Sequence, residues 1–431
     1  MGTRFVFRCI VLGGLFAACT AFADEPDPAT SRQELWRRLR EAKRDRVEPY
    51  EMNRIEEQFL RMDKAETPTI ADWNWKGFYP RVSWPSRGSG AAIGTRYWQP
   101  DLLGPIDLAG AAFYSWRHYQ HYDVQFGLLP HRGEQIPARS WKGDDLYEIG
   151  DAKPGFPRFP LYVTFRYRYL PEEDFFGLGP GSRQDTRVSY LQKETRVYLR
   201  TGFQLTKHFA WMVEGGYQKN SLGPSRTTVF PSVEELFDDE RAPSLEGAPD
   251  YARAGTQLFF DFRDEPGNPH KGFMLALLGE RFSDRARSKF SFERLGFDAR
   301  GYLPLGTPIR VLALRAAFLS DQPDANNRVP FFMQESLGGS HTLRGFDSFR
   351  WRAEKIALYQ AEYRWEPTSF WELSVFADAG SVARAGTSFS KLEWDYGFGM
   401  RFKSYRDVVL RLEIAFSRET TRYYIRSSAA F

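Results

Sequence analysis

Three stretches of the chain alternate apolar and polar side chains over about nine residues each. Leu161, Val163, Phe165, Tyr167 and Tyr169 fall on one face, with Tyr162, Thr164, Arg166 and Arg168 on the other. Val197, Leu199, Thr201, Phe203 and Leu205 oppose Arg196, Tyr198, Arg200 and Gln204. Val408, Leu410, Leu412, Ile414 and Phe416 oppose Val409, Arg411, Glu413, Ala415 and Ser417. A period of two marks β-strands, and about nine to eleven residues is what a tilted strand needs to cross a bilayer. A β-sandwich also alternates. It rarely repeats Arg along the polar face of long strands while leaving the apolar faces without cover.

Composition sharpens the choice. Aromatic residues make up 16% of the chain, yet mean hydropathy is −0.51. No stretch beyond the N-terminus approaches the ~20 apolar residues of a membrane helix. Rings on one face of each strand, with Tyr and Trp at the interfaces, are the pattern of a transmembrane barrel facing lipid. The expectation is an all-β membrane protein: an about 16-stranded antiparallel transmembrane β-barrel with a short N-terminal helical segment. At roughly 20–24 residues per strand and connection, positions 75–431 accommodate that number, which is even, as in bacterial barrels. Three connections read as long, about Leu129–Pro160, Gln218–Arg253 and Leu319–Leu343, and long loops are expected on the outer side. The middle one reads as an extended surface loop.

Residues 1–23 read as a secretory signal. Arg4 and Arg8 precede the short apolar run Ile10–Ala18, and Ala21-Phe22-Ala23 offers a cleavage site before Asp24. Acylation at Cys19 is the alternative. Both cysteines, Cys9 and Cys19, lie in this segment, so a mature chain has no disulfide, thiolate metal site or cysteine nucleophile. Loss of Arg4 and Arg8 lowers the formal charge from +4 to +2, which gives no reason to expect nucleic acid. Residues 24–74 differ from the rest. Ser31 with Glu34 forms a capping box, and Leu35, Leu39 and Ala42 share a helical face. Pro49 interrupts, and then Met52, Ile55, Phe59 and Met62 repeat at helical spacing. Two short amphipathic helices are expected, as a solvated leader, a plug or a surface-lying segment.

The chemistry concentrates in Leu337–Phe349, LGGSHTLRGFDSF. Arg344 sits in a Gly-rich connection with Phe346 and Phe349, which need burial. The two following strand-like runs, Ile356–Trp365 and Leu373–Gly380, each bear one acid on the polar face, Glu362 and Asp378. An Arg at a loop tip with two such partners points to a loop folded inward and held.

Four segments together resemble the BamA/TamA-type superfamily of bacterial surface-antigen barrels. They are Phe175-Phe176-Gly177-Leu178-Gly179; Asp261-Phe262-Arg263-Asp264 with Pro269 and Gly272; Leu343-Arg344-Gly345-Phe346; and Phe376-Ala377-Asp378-Ala379-Gly380. The resemblance covers roughly residues 160–431. It implies that Arg344, Gly345 and Phe346 form the tip of the sixth extracellular loop, with Arg344 in the lumen on Asp378 and Glu362. It further implies that Asp261, Arg263, Asp264, Phe376 and Gly380 are barrel motif residues, and that the terminal Phe431 belongs to an assembly signal, although Arg426 stands where that signal often has Gly. Members insert or translocate proteins at the outer membrane. Their periplasmic POTRA modules, of about 75 residues each, do not fit in residues 24–74.

Three function classes follow. An assembly or translocation barrel, gated by the Arg344 loop, would have outer-membrane lipid and a secreted or outer-membrane client protein as partners. A passive or plugged pore would use Arg166, Arg168, Arg196, Arg200 and Arg411 as channel lining. An outer-membrane hydrolase is disfavoured: Ser340-His341 lacks the second Gly of a nucleophile elbow, and His118 and His121, read as one strand, point to opposite faces. No pattern calls for a metal, a cofactor or catalytic residues.

Mass spectrometry of membrane fractions is expected to find a heat-modifiable protein beginning at Asp24; an acylated Cys19 or a soluble protein contradicts this. Deleting Ser31–Lys64 is expected to raise pore conductance with the barrel still folded, whereas unchanged conductance favours the solvated leader.

Overall fold

The computed structural model describes residues 76–83, 89–129, 159–206, 208–226, 229–264, 268–368, 370–403 and 408–426. The signal, the helical leader and Phe431 lie outside the described residues. Sixteen strands form one antiparallel sheet in chain order: β1 Phe78–Ser83, β2 Ala92–Leu103, β3 Ile106–Ser115, β4 Gln120–Leu128, β5 Leu161–Phe175, β6 Val188–Thr206, β7 Phe209–Pro224, β8 Tyr251–Asp261, β9 Gly272–Asp284, β10 Phe292–Leu305, β11 Thr307–Pro323, β14 Lys355–Trp365, β15 Trp371–Ala383, β16 Glu393–Lys403, β17 Val408–Phe416 and β18 Thr421–Arg426. Two short strands, β12 Glu335–Leu337 and β13 Trp351–Ala353, pair as a separate ribbon inside the β11–β14 connection.

The barrel is built inside out. On β15, Val375 is 50% exposed while its sequence neighbours Phe376 and Ser374 are buried, and Asp378 is 1% exposed. Leu161, Val163 and Phe165 on β5 and Val197 and Leu199 on β6 are exposed, whereas Arg166, Arg168, Arg196 and Arg200 are buried. Water would favour the opposite arrangement. A hydrocarbon exterior favours this one, because backbone polar groups pair between neighbouring strands and the charges face the lumen.

The register sets which end each connection occupies. Successive antiparallel strands alternate, so β4 ends at the same end of the sheet as the tight turns at 104–105 and at Gly306. The connections after β7 and β11 leave from the other end. The expectation of three long loops on one side is therefore corrected: β4 ends at Leu128 and β5 begins at Leu161 at the sheet end opposite to the other two connections.

The other two connections also differ from their reading. β7 continues to Pro224, leaving 225–250 as the loop. It is no extended excursion. It carries a short helix, α1, Val233–Leu236, with the Glu235 carboxylate accepting the Ser232 N–H at 2.7 Å. Val233 and Ala242 are buried with Phe175, Tyr190, Phe282, Phe331 and Phe332 in one aromatic cluster. The connection after β11 begins at Asp324, ends at Glu354 and encloses the whole Arg344 segment.

Candidate functional site

The β12–β13 ribbon pairs Leu337 with Trp351 and Glu335 with Ala353, and the turn between its strands is 338–350. Gly338 and Gly339 open it with φ of +115° and +94°, a region that side chains with a Cβ rarely enter. The Thr342 hydroxyl closes it, accepting the Gly338 N–H at 2.9 Å. Leu337, Leu343, Phe346 and Trp351 then bury against Leu319, Ile356, Leu358 and Val382 of β11, β14 and β15, with Phe346 and Trp351 edge to face at 4.5 Å. The loop thus carries its own apolar core against the inner wall. Phe349 is only partly buried, beside the Arg352 guanidinium at 5.3 Å.

That core delivers Arg344 to three strands. Its Nε donates to Asp378 Oδ2 at 2.7 Å and its Nη2 to Asp378 Oδ1 at 2.8 Å. Its Nη1 donates to Glu362 Oε2 and Glu413 Oε1, each at 2.9 Å. The guanidinium lies 3.4 Å from the Phe376 ring centroid, a face-on cation–π geometry. The side chains of Arg344, Glu362, Asp378 and Glu413 are all 0% exposed. Burial acts against the charge of Arg344, but Asp378, Glu413 and Glu362 outweigh it and hold the guanidinium charged, well above its ordinary range.

The surroundings fix these groups in turn. Glu362 also takes Arg364 at 2.7 Å and Arg401, and Arg401 continues to Glu372 at 2.7 Å. Arg411 lies beside Glu413 at 3.5 Å. Gln360 donates to Asp378 Oδ1 at 3.1 Å and to the Thr342 carbonyl at 2.9 Å. The backbone is clamped as well: the Tyr424 hydroxyl donates to Arg344 O at 2.8 Å and Ser417 Oγ to Gly345 O at 2.7 Å. A Cβ on Gly345 would stand 2.6 Å from Asp395 Cβ and 2.8 Å from Ser417 Cβ. Only glycine fits there.

Sequence reasoning named Arg344, Gly345, Phe346, Glu362 and Asp378, and the structure brings them together. It missed Glu413. The available signal was the alternation of the 408–416 strand, which already placed Glu413 inward. Phe376 and Gly380 join the site, Phe376 beneath Arg344 and Gly380 close to Leu337 and Leu343. Asp261, Arg263 and Asp264 lie at the opposite end. There Arg263 is bidentate on Asp261 at 2.9 and 2.6 Å, and Asp264 accepts the His270 N–H at 3.0 Å. At that same end burial pushes Glu366 up, but the hydrogen bond from His270 and the charge of Lys403 bring it down to about 2.

The other candidates fall into structural roles. The Phe175–Gly179 segment reaches the ribbon: Gly179 N–H donates to Arg352 O at 2.8 Å, and the Arg350 guanidinium lies 5.3 Å from the Phe176 ring. The inward arginines are paired, Arg166 to Asp123 at 2.8 Å, Arg168 and Arg196 to Glu194 at 3.1 and 2.8 Å, and Arg200 to Glu214. His118 is not in a strand with His121. It lies in the β3–β4 turn at φ +66°, and His121 is on β4, beside Asp123. Ser340 Oγ accepts from Arg426 Nε at 3.3 Å.

The Omp85 superfamily domain matches residues 152–423. Among solved structures the fold is similar to BamA from Haemophilus ducreyi lacking POTRA domains 1–3. The TM-score is 0.56 at 13% identity, covering 81% of this chain and 69% of that one. It is also similar to CdiB from Escherichia coli, at a TM-score of 0.51 and 12% identity, covering 82% of this chain and 62% of that one. No curated protein sequence matches the chain. A domain match running from just before β5 into β18, over a barrel that encloses an RGF loop, assigns the chain to the Omp85 superfamily of outer-membrane barrels.

Proposed function

We propose that this barrel inserts or exports polypeptide at the outer membrane, with the loop bearing Arg344 acting as a lock that sets the state of the lumen. The single observation that carries the reading is the buried guanidinium joining the β11–β14 loop to β14, β15 and β17 at once, in a chain of the Omp85 superfamily. Its partners are outer-membrane lipid around the strands and a secreted or outer-membrane client protein. Gly345, Phe346, Glu362 and Asp378 belong to the lock, and Phe376 and Gly380 form its seat. A passive pore is the weaker reading, because the inward arginines are already neutralised by neighbouring acids.

The lock has energetic consequences. Removing one partner from a buried pair leaves an uncompensated charge, at ~3–5 kcal/mol, against ~0–1 kcal/mol for an exposed pair. Arg344→Ala is expected to expose the loop to protease on the outer side and to lower assembly or transport. Asp378→Asn is expected to behave alike, and Lys at 344 not to replace the planar fork of Arg. In a double-mutant cycle the two effects are expected to fall well short of additive. Strict additivity means that the two residues are uncoupled.

Planar-bilayer recording of refolded protein tests the gating. Small, flickering currents are expected for the native chain, with larger and longer openings for Arg344→Ala. Large steady openings in the native protein would instead identify a passive pore.

A further inference from the structure

The register of β15 and β16 sets Asp395 directly opposite Asp378. Both point inward, at 0% and 1% exposure. Asp378 spends its oxygens on Arg344 and Gln360. Asp395 is different: neither of its carboxyl oxygens accepts a well-aligned hydrogen bond, the nearest donor being the Gly345 main-chain N–H. The groups beside it are the Asp378 carboxyl, the Arg344 guanidinium and the Gly345 main chain. Tyr424, Arg422 and Arg426 of β18 and Glu413 of β17 complete the charged and titratable surroundings.

An ionised carboxylate buried without a donor is strongly disfavoured, and two carboxylates sharing one site do not both ionise.

We infer that Asp395 is a positioning residue of the loop lock: an uncharged carboxylic acid whose O–H donates to the Asp378 carboxylate and aims it at Arg344. No other atom moves and no co-reactant is required. The proton stays between the two acids, and the negative charge stays on the one that meets the guanidinium. The inference rests on the lock reading but on no particular client. Its tests therefore use loop protection and a carboxyl signature, not transport.

Asparagine keeps a neutral donor of similar shape; alanine keeps none. With folding of each variant checked by heat-modifiability, the Arg344 loop of Asp395→Asn is expected to resist protease as in the native chain. In Asp395→Ala it is expected to be cleaved on the order of tenfold faster, the scale of one lost hydrogen bond to a charged group. Infrared spectra of the native protein are expected to show a protonated-carboxyl C=O band that Asp395→Asn removes. If the alanine variant does not fold, this band decides alone. An Asn variant as labile as Ala or unable to fold, an Ala variant as protected as native, or an unchanged band overturns the inference. Unaltered protease resistance in Arg344→Ala would instead overturn the lock itself.

Discussion

A guanidinium withdrawn from water inside a barrel must be met by carboxylates in fixed places, and much of this structure follows from meeting that requirement for Arg344. Asp378, Glu362 and Glu413 come from three strands of the wall. Each must point inward at a height the loop tip can reach. Register supplies the height, since Glu362 faces Phe376 and Gln360 faces Asp378 across β14 and β15. A one-residue slip of either strand would turn its acid toward lipid. The loop answers with an apolar core of its own, in which Phe346 and Trp351 help to hold the Arg in place.

The same constraint reaches the last strand. Tyr424 on β18 donates to the Arg344 carbonyl, and Arg422 on β18 pairs with Asp347 just beyond the RGF tip. On the far side, Arg350 is bidentate on Glu419 of the β17–β18 turn and also donates to Ser182. The loop therefore bridges β5–β6, β14, β15, β17 and β18. Moving it requires breaking a contiguous set of charged contacts in a place with little water to replace them.

Much of this was legible from residue order alone. Period-two alternation identified the strands and their inward arginines, because a lipid exterior forces the pattern to be explicit. The inward placement of Glu362 and Asp378 followed from the same alternation, and RGF with FADAG supplied the pairing. Other features were not legible. Glu413 lies 69 positions from Arg344, and nothing local marks it as a partner among the inward acids. The 225–250 loop looked polar in composition, yet Val233 and Ala242 bury in an aromatic cluster that strands and loops distant in sequence create. The end from which 129–160 departs depends on a count of strands, and composition carries no such count. Asp395 reads locally as one more inward acid; its place opposite Asp378 exists only once β15 and β16 are in register.

The central claim is that Arg344 is shut away from water on Asp378, and proton exchange at its Nε reports this directly. In protein labelled with 15N-arginine, the account predicts a slowly exchanging Nε–H resonance that is absent from Arg344→Lys and exchanges much faster in Asp378→Asn. An Arg344 Nε–H that exchanges at the rate of an exposed arginine in the native barrel would contradict it.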